Sequence, residues 1–358
     1  MSEPKAAAAQ AFEQPLANAA ATVASFDSQR RSPLHALQHL FHANPALVPL
    51  VVLVLSVTVF SLLVGERFYQ PFTLTLILQQ VAIVGIVAAA QTLVILTAGI
   101  DLSVGAVMVL SSVVMGQFTF RYGLPAPVSV LCGFACGALC GWINGVLVAH
   151  FRLPPFIVTL GTWQIFLATN FIYSANETIR GQDLEAQAPL LLFFAGNFKV
   201  GDAIFTYGVV AMILLIGVLW YVLNKTAWGR HVYAIGDDPD AAELAGVQTR
   251  RMLVQVYMLS GAICALAGWV LIGRIESVAP NSGQTANIEA ITAVVIGGIS
   301  LFGGRGSILG TIFGALIVGV FALGLRMWGT DPQWTYLTTG LLIIIAVAID
   351  QWIRRVAG

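Results

Sequence analysis

Charge is what this chain has least of. Of its 358 residues, 9% are charged and 58% are hydrophobic, against roughly 25% charged in a soluble globular chain. Lipid is therefore the solvent for most of it. The 17 basic and 17 acidic residues cancel to a formal net charge of zero, so no global basic field exists to draw nucleic acid, and nucleic acid is not expected as a partner. Cysteine is scarce too. Cys132, Cys136 and Cys140 recur on one helical face and Cys264 lies in another apolar run; without Cys-x-x-Cys spacing they read as small apolar fillers. His150 and His231 fall in loops, and His35, His39 and His42 in the N-terminal segment, so neither a metal site nor a catalytic set is expected. A phosphate-binding loop needs Gly, four residues, then Gly-Lys-Ser/Thr, and no such string occurs. If ATP drives this protein, another polypeptide hydrolyses it.

What is present is a succession of apolar runs. Residues 1–44 are rich in Ala, Gln and Ser; they read as a disordered cytoplasmic tail with a short amphipathic end near Leu34 to Phe41 and no signal-peptide core. Residues 45–356 read as one transmembrane domain. A spanning helix needs about twenty mostly apolar residues, and the qualifying runs are Ala46 to Val64, Phe72 to Ala98, Leu102 to Phe120, Ala126 to Ala149, Pro155 to Tyr173, Phe205 to Leu223, Met252 to Ile272, Ile288 to Leu301, Ser307 to Trp328 and Trp334 to Trp352. The expected fold is thus all-α and polytopic, with about ten spans, the eighth short. With the N-terminus inside, Lys5, Arg30, Arg31, Arg152, Lys225, Arg230, Arg250, Arg251, Arg305, Arg354 and Arg355 are cytoplasmic. Only Arg67, Arg121, Arg180, Lys199, Arg274 and Arg326 then lie outside, an asymmetry that places both termini in the cytoplasm.

Two long connections remain. Ser174 to Ile204 faces outward and carries a Pro-bounded apolar stretch, Pro189 to Phe198, expected to lie as a short helix on the membrane surface. The inward loop, residues 225–251, contains Gly236, Asp237, Asp238, Pro239, Asp240, Ala241, Ala242, Glu243, Leu244, Ala245 and Gly246. An Asp cap, Pro at the first helical position, acids in the first turn and Gly past the end predict one short helix over Pro239 to Ala245. Its small alanines suit either a docking element for a cytoplasmic partner or an ordinary loop helix packed on its neighbours.

The stretch Thr226, Gly229, Arg230, Ala234, Ile235, Gly236, Asp237, Ala241, Ala242, Gly246 and Val247 resembles the cytoplasmic signature loop of the permeases of ribose, xylose, arabinose and fructose ABC importers, although that family often has Asn where Asp237 stands. Thr97 to Gly105 and Gly297 to Ser307 match two further blocks of the same family, and the resemblance covers roughly Phe72 to Trp352. It implies a homodimeric permease of the bacterial inner membrane that binds no cofactor itself. Its implied partners are a cytoplasmic ATPase, which uses ATP and Mg, and a periplasmic sugar-binding protein. Arg230, Gly236, Asp237, Asp238, Pro239, Ala241, Ala242 and Gly246 would then form the ATPase-coupling site. The implied solute is a monosaccharide, ribose or fructose ahead of xylose; a quorum-sensing furanose or a nucleoside is the alternative, and an ion-coupled secondary transporter ranks behind both.

Glycines beside charged residues let the backbone turn at membrane depth, where helices become short or discontinuous. Gly99, Asp101, Ser103, Gly303, Gly304 and Arg305 are the candidates for such turns. Asp101 is either a gate residue paired with an Arg such as Arg305 or a carboxylate that caps a helix start, and Ser103 can cap the following helix. The Gly and Ser blocks after the second and eighth spans hint at two related halves. Gln79, Gln91, Asn144, Thr162 and Asn170, with Gln80, Thr159, Gln164 and Gln255 beside them, are candidates for a polar solute path, though such side chains also knit membrane helices together. Glu289 is expected near the outer face.

Overall fold

The computed structural model describes residues 47–357, so the N-terminal tail and its amphipathic end lie outside the described residues. Ten helices follow the ten apolar runs: α1 Leu47–Val64, α2 Pro71–Leu96, α3 Val104–Tyr122, α4 Ala126–Ala149, α5 Pro155–Ser174, α7 Tyr207–Lys225, α10 Thr249–Ile275, α11 Ala286–Ile296, α12 Ile308–Met327 and α13 Pro332–Ala357. Between α5 and α7 lie α6 Gly181–Gln187, a 3-10 turn at Pro189–Ala195 and an antiparallel hairpin of β1 Asn197–Val200 and β2 Ala203–Thr206. Between α7 and α10 lie α8 Ala227–Asp237 and α9 Pro239–Leu244. Among the described residues, eight helices are long and apolar enough to cross a bilayer.

The expected span at Ile288 to Leu301 is corrected. Its helix, α11, has 11 residues and rises about 16 Å, roughly half the hydrocarbon thickness. The reason lies in Gly298, Gly303, Gly304 and Gly306, all at positive φ, which turn the chain before α12. Among the described residues, the all-helical expectation is modified by the small hairpin and an isolated bridge between Ile179 and Val278. The apolar stretch at Pro189 does not lie free on a surface: Leu191 and Phe194 are buried, and Trp269 Nε1 of α10 donates to Leu190 O at 3.2 Å.

Burial sorts the helices. The apolar window of α3 is 78% buried and that of α10 72%, against 17% for α1 and 28% for α5. The former form the interior and the latter the periphery of the chain; the hydrophobic effect does not draw helix to helix inside a bilayer, so close packing must hold the interior together. Small residues provide that packing. Gly137 and Gly261 bring α4 and α10 together main chain to main chain, and Gly141 and Gly145 continue the seam against Tyr257 and Val254. Across the interior, Thr92 of α2 and Thr311 of α12 share a hydroxyl hydrogen bond of 2.8 Å.

Candidate functional site

The loop joining α7 to α10 holds two helices where the sequence promised one. Thr226 caps α8, its hydroxyl accepting from Gly229 N at 3.2 Å, and Val232, Ile235 and Gly236 form the buried face. Asp238 caps α9: its Oδ1 accepts from Asp240 N at 3.0 Å and Ala241 N at 2.9 Å. Pro239 follows at the first helical position, and Gly246 closes the segment at φ +87°. In α9, Ala242 turns inward at 5% exposure, while Ala241 is exposed and Leu244 stands 91% exposed at the tip. Arg230, Asp237 and Pro239 are also exposed.

The end of α8 is wedged against two glycine-rich turns far away in sequence. A Cβ at Gly236 would overlap the Leu96 carbonyl and reach Gly304 N. Gly304 N in turn donates to Leu96 O at 3.0 Å. A Cβ at Gly303 would lie 2.7 Å from both Ala98 N and Gly236 O, and one at Gly304 2.9 Å from Asp237 Cα. Tyr233 of α8 donates its hydroxyl to Gly306 O at 3.0 Å; burial pushes this phenol above its ordinary pKa, which keeps the donor proton in place. Three segments noted separately in the sequence thus meet at one junction.

The two turns share a cap. Gly99 N bonds Val94 O at 3.1 Å and Ala98 N bonds Ile95 O at 2.9 Å; Ile299 N bonds Val294 O at 3.2 Å and Gly298 N bonds Val295 O at 3.0 Å. Ala98 (φ +60°) and Gly298 (φ +78°) occupy the same left-handed position, the reversal that ends many helices. The chain repeats this device in its two halves.

Past its turn, the α2–α3 connection runs inward. Asp101 is 3% exposed. Its Oδ1 accepts from Ser103 N at 2.7 Å and Ser103 Oγ at 2.6 Å. Ser103 sits at the N-cap of α3 without a capping bond of its own, because its hydroxyl is spent on Asp101 and accepts from Asn144 Nδ2 at 2.9 Å. Asp101 makes no ion pair among the described residues, and Arg305 is exposed, so the two do not pair here. Gln91, fully buried in α2, clamps the Asp101 backbone: with its amide oriented to satisfy both groups, nitrogen donates to Asp101 O at 2.9 Å and oxygen accepts from Asp101 N at 3.2 Å. Thr159 donates to Ile100 O at 3.0 Å. Asn287, at the start of α11, donates to Leu102 O at 3.4 Å, so the first turns of α3 and α11 meet inside the protein. Glu289 is held by Thr285 Oγ1 at 2.9 Å.

The polar side chains singled out within spans are divided by this arrangement. Gln91 and Asn144 bind the Asp101 segment, Asn170 Nδ2 holds Pro280 O at 2.9 Å, and buried Thr162 bonds back to Thr159 O at 3.4 Å. Asn144 Oδ1, Asn170 Oδ1 and Tyr257 OH are buried with no hydrogen-bond partner among the described residues. Gln79 is different: it lines a cavity of about 170 Å³ at the end of α10 remote from α9. Helix α8 was not expected from the sequence, although Trp228, Val232 and Ile235 at helical spacing after Thr226 carry its signal.

Residues 73–347 match the family model described as branched-chain amino acid transport system, permease component. The chain is 70% identical over 349 residues to a fructose import permease protein of Rhizobium meliloti, covering 98% of this chain and 97% of the relative. It is 37% identical over 303 residues to a ribose import permease protein of Bacillus subtilis, covering 85% and 92%. A galactose/methyl galactoside import permease protein of Haemophilus influenzae is 35% identical over 287 residues, 77% of this chain and 85% of the relative. No solved structure matches the chain.

Proposed function

The chain belongs to the permease-component family of branched-chain amino acid transport systems, a multi-pass membrane protein, and from that premise we propose that it is the translocating subunit of an ATP-driven fructose importer. The observation that carries the cargo is the end-to-end identity of 70% with a fructose import permease, against 37% with a ribose import permease. In this reading two copies form the pathway in a bacterial inner membrane with both termini inside. A periplasmic sugar-binding protein delivers the solute, and a separate cytoplasmic ATPase hydrolyses ATP with the help of Mg.

The junction supports a mechanism. A six-residue helix such as α9 is marginal in water by itself, but α8 anchors it on the interior. Gly236 and Asp237, at the end of α8, touch the turns that follow α2 and α11, so displacement of α9 by the ATPase is transmitted through main-chain contact to both. The turn after α2 leads directly to Asp101 and the start of α3. Arg230, Asp237, Asp238, Pro239, Ala241 and Gly246 present or shape the coupling surface, while Ala242 and Gly236 hold it to the scaffold.

The test is reconstitution with the ATPase and binding protein in vesicles, measuring uptake of labelled fructose and ribose with and without ATP. ATP-dependent uptake favouring fructose, abolished by Ala241→Arg with the permease still inserted, is the expected result. Uptake without the ATPase would overturn the importer assignment, and preference for ribose would overturn the cargo.

A further inference from the structure

The end of α10 remote from α9 carries a cavity that the coupling junction does not use. Its volume is about 170 Å³, the space of roughly six waters at about 30 Å³ each, which suits a sugar ring. Phe194 and Ala195 line it beside Gly273, whose lack of a side chain lets their backbone come close: a Cβ there would lie 2.7 Å from Ala195 N. Phe194 is fixed in turn by Trp269, ring centroids 4.8 Å apart.

Beside these residues stand Gln79, Asn197, Thr206, Arg274 and Glu276. Gln79 spends its nitrogen on Ile204 O at 3.3 Å, leaving its oxygen free to accept. Thr206 precedes α7 without a side-chain capping bond. Asn197, Arg274 and Glu276 make no side-chain hydrogen bond or ion pair among the described residues. Arg274 and Glu276, two residues apart, both border the cavity yet do not bond one another. Five side chains with unspent donors and acceptors therefore converge on one space.

The balance of these groups selects a ligand class. An anion would meet the Glu276 carboxylate and a cation the Arg274 guanidinium, whereas a neutral polyol satisfies both, its hydroxyls donating to the carboxylate and accepting from the guanidinium. Phe194, Ile204 and Val270 supply an apolar wall, and a few convergent polar groups beside such a wall are the usual construction of a small-molecule site. We propose that this cavity is a subsite for a neutral monosaccharide, contacted at the face opposite the coupling helix, with Glu276 and Arg274 as its specificity-determining pair. The proposal rests on the importer assignment above for its cargo.

Two measurements test it. In vesicles holding the complete transporter, Glu276→Gln and Arg274→Gln, both exposed positions, each lower initial fructose uptake at limiting sugar about tenfold, the equivalent of one hydrogen bond to a charged group. Lys199→Gln, on the β1–β2 hairpin that borders the cavity but outside the cavity itself, leaves it unchanged. In the purified permease, saturation transfer from protein to fructose ring protons is seen for the wild type and lost in Glu276→Gln. Wild-type rates in both variants, an equal loss in Lys199→Gln, or no saturation transfer to the wild type would overturn the subsite while leaving the importer assignment standing. Absence of ATP-dependent fructose uptake by the wild type would instead overturn that assignment.

Discussion

The α-carbon of Gly236 rests on the main-chain carbonyl of Leu96, 140 positions away in the chain, with no side chain between them. Main chain cannot step aside as a side-chain tip can, so even one methyl group is excluded there. Gly236→Ala is expected to cut ATP-driven uptake more than tenfold and to lower the thermal midpoint of the purified permease. Gly246→Ala serves as comparison: nothing lies within 4 Å of an added Cβ, but φ is +87°, so a cost of about 1 kcal/mol is expected from backbone strain alone. Equal midpoints for the two variants would contradict the close packing at Gly236.

Leu244 exposes 91% of its surface at the tip of α9. An aspartate there costs the permease itself little, because exposed positions usually change stability by less than about 0.5 kcal/mol. Leu244→Asp should therefore melt like the wild type yet fail to stimulate the ATPase when binding protein and sugar are added. Full stimulation would show that α9 does not contact the ATPase through this side chain.

Gln91 grips Asp101 by two backbone bonds. Gln91→Leu leaves a buried N–H and a buried C=O without partners, each costing about 1–3 kcal/mol. A fall of several degrees in thermal midpoint is the expected reading. A variant as stable as wild type would mean that the clamp is not formed.

The Asp101 carboxylate oxygen accepts from Ser103 N and Oγ, a geometry that an amide oxygen reproduces. Asp101→Asn should insert and melt close to the wild type, while Asp101→Ala should lose about 1–2 kcal/mol, as for other removed helix-start acceptors. Equal losses in the two variants would point to the charge rather than the acceptor.

The ten apolar runs were legible because a length of apolar sequence is the signal a bilayer demands, and helix ends in the structure fall within a few residues of those expected. The Asp238 and Pro239 start of α9 was legible for the same local reason: cap chemistry needs only neighbouring residues. The short eighth helix was visible as a short run, but its real end at Ile296 depended on the left-handed turn at Gly298. What could not be read is the meeting of Leu96, Gly236 and Gly304, since contacts between distant main-chain atoms leave no periodicity. Gln91 and Asn144 read equally well as path or scaffold, because an amide in a membrane helix serves either; that they bind Asp101 and Ser103 depends on contacts distant in the chain. Helix α8 carried its apolar spacing in eleven residues, a faint pattern beside the long spans on either side.

The glycine seam between α4 and α10 bears on how this protein moves. Two rods touching through bare backbone at Gly137 and Gly261 have no cushion of rotamers to absorb sliding, so they behave as a single strut. Any cycle that opens one face and then the other must pivot around that strut, with the movement taken up by the helices packed around it.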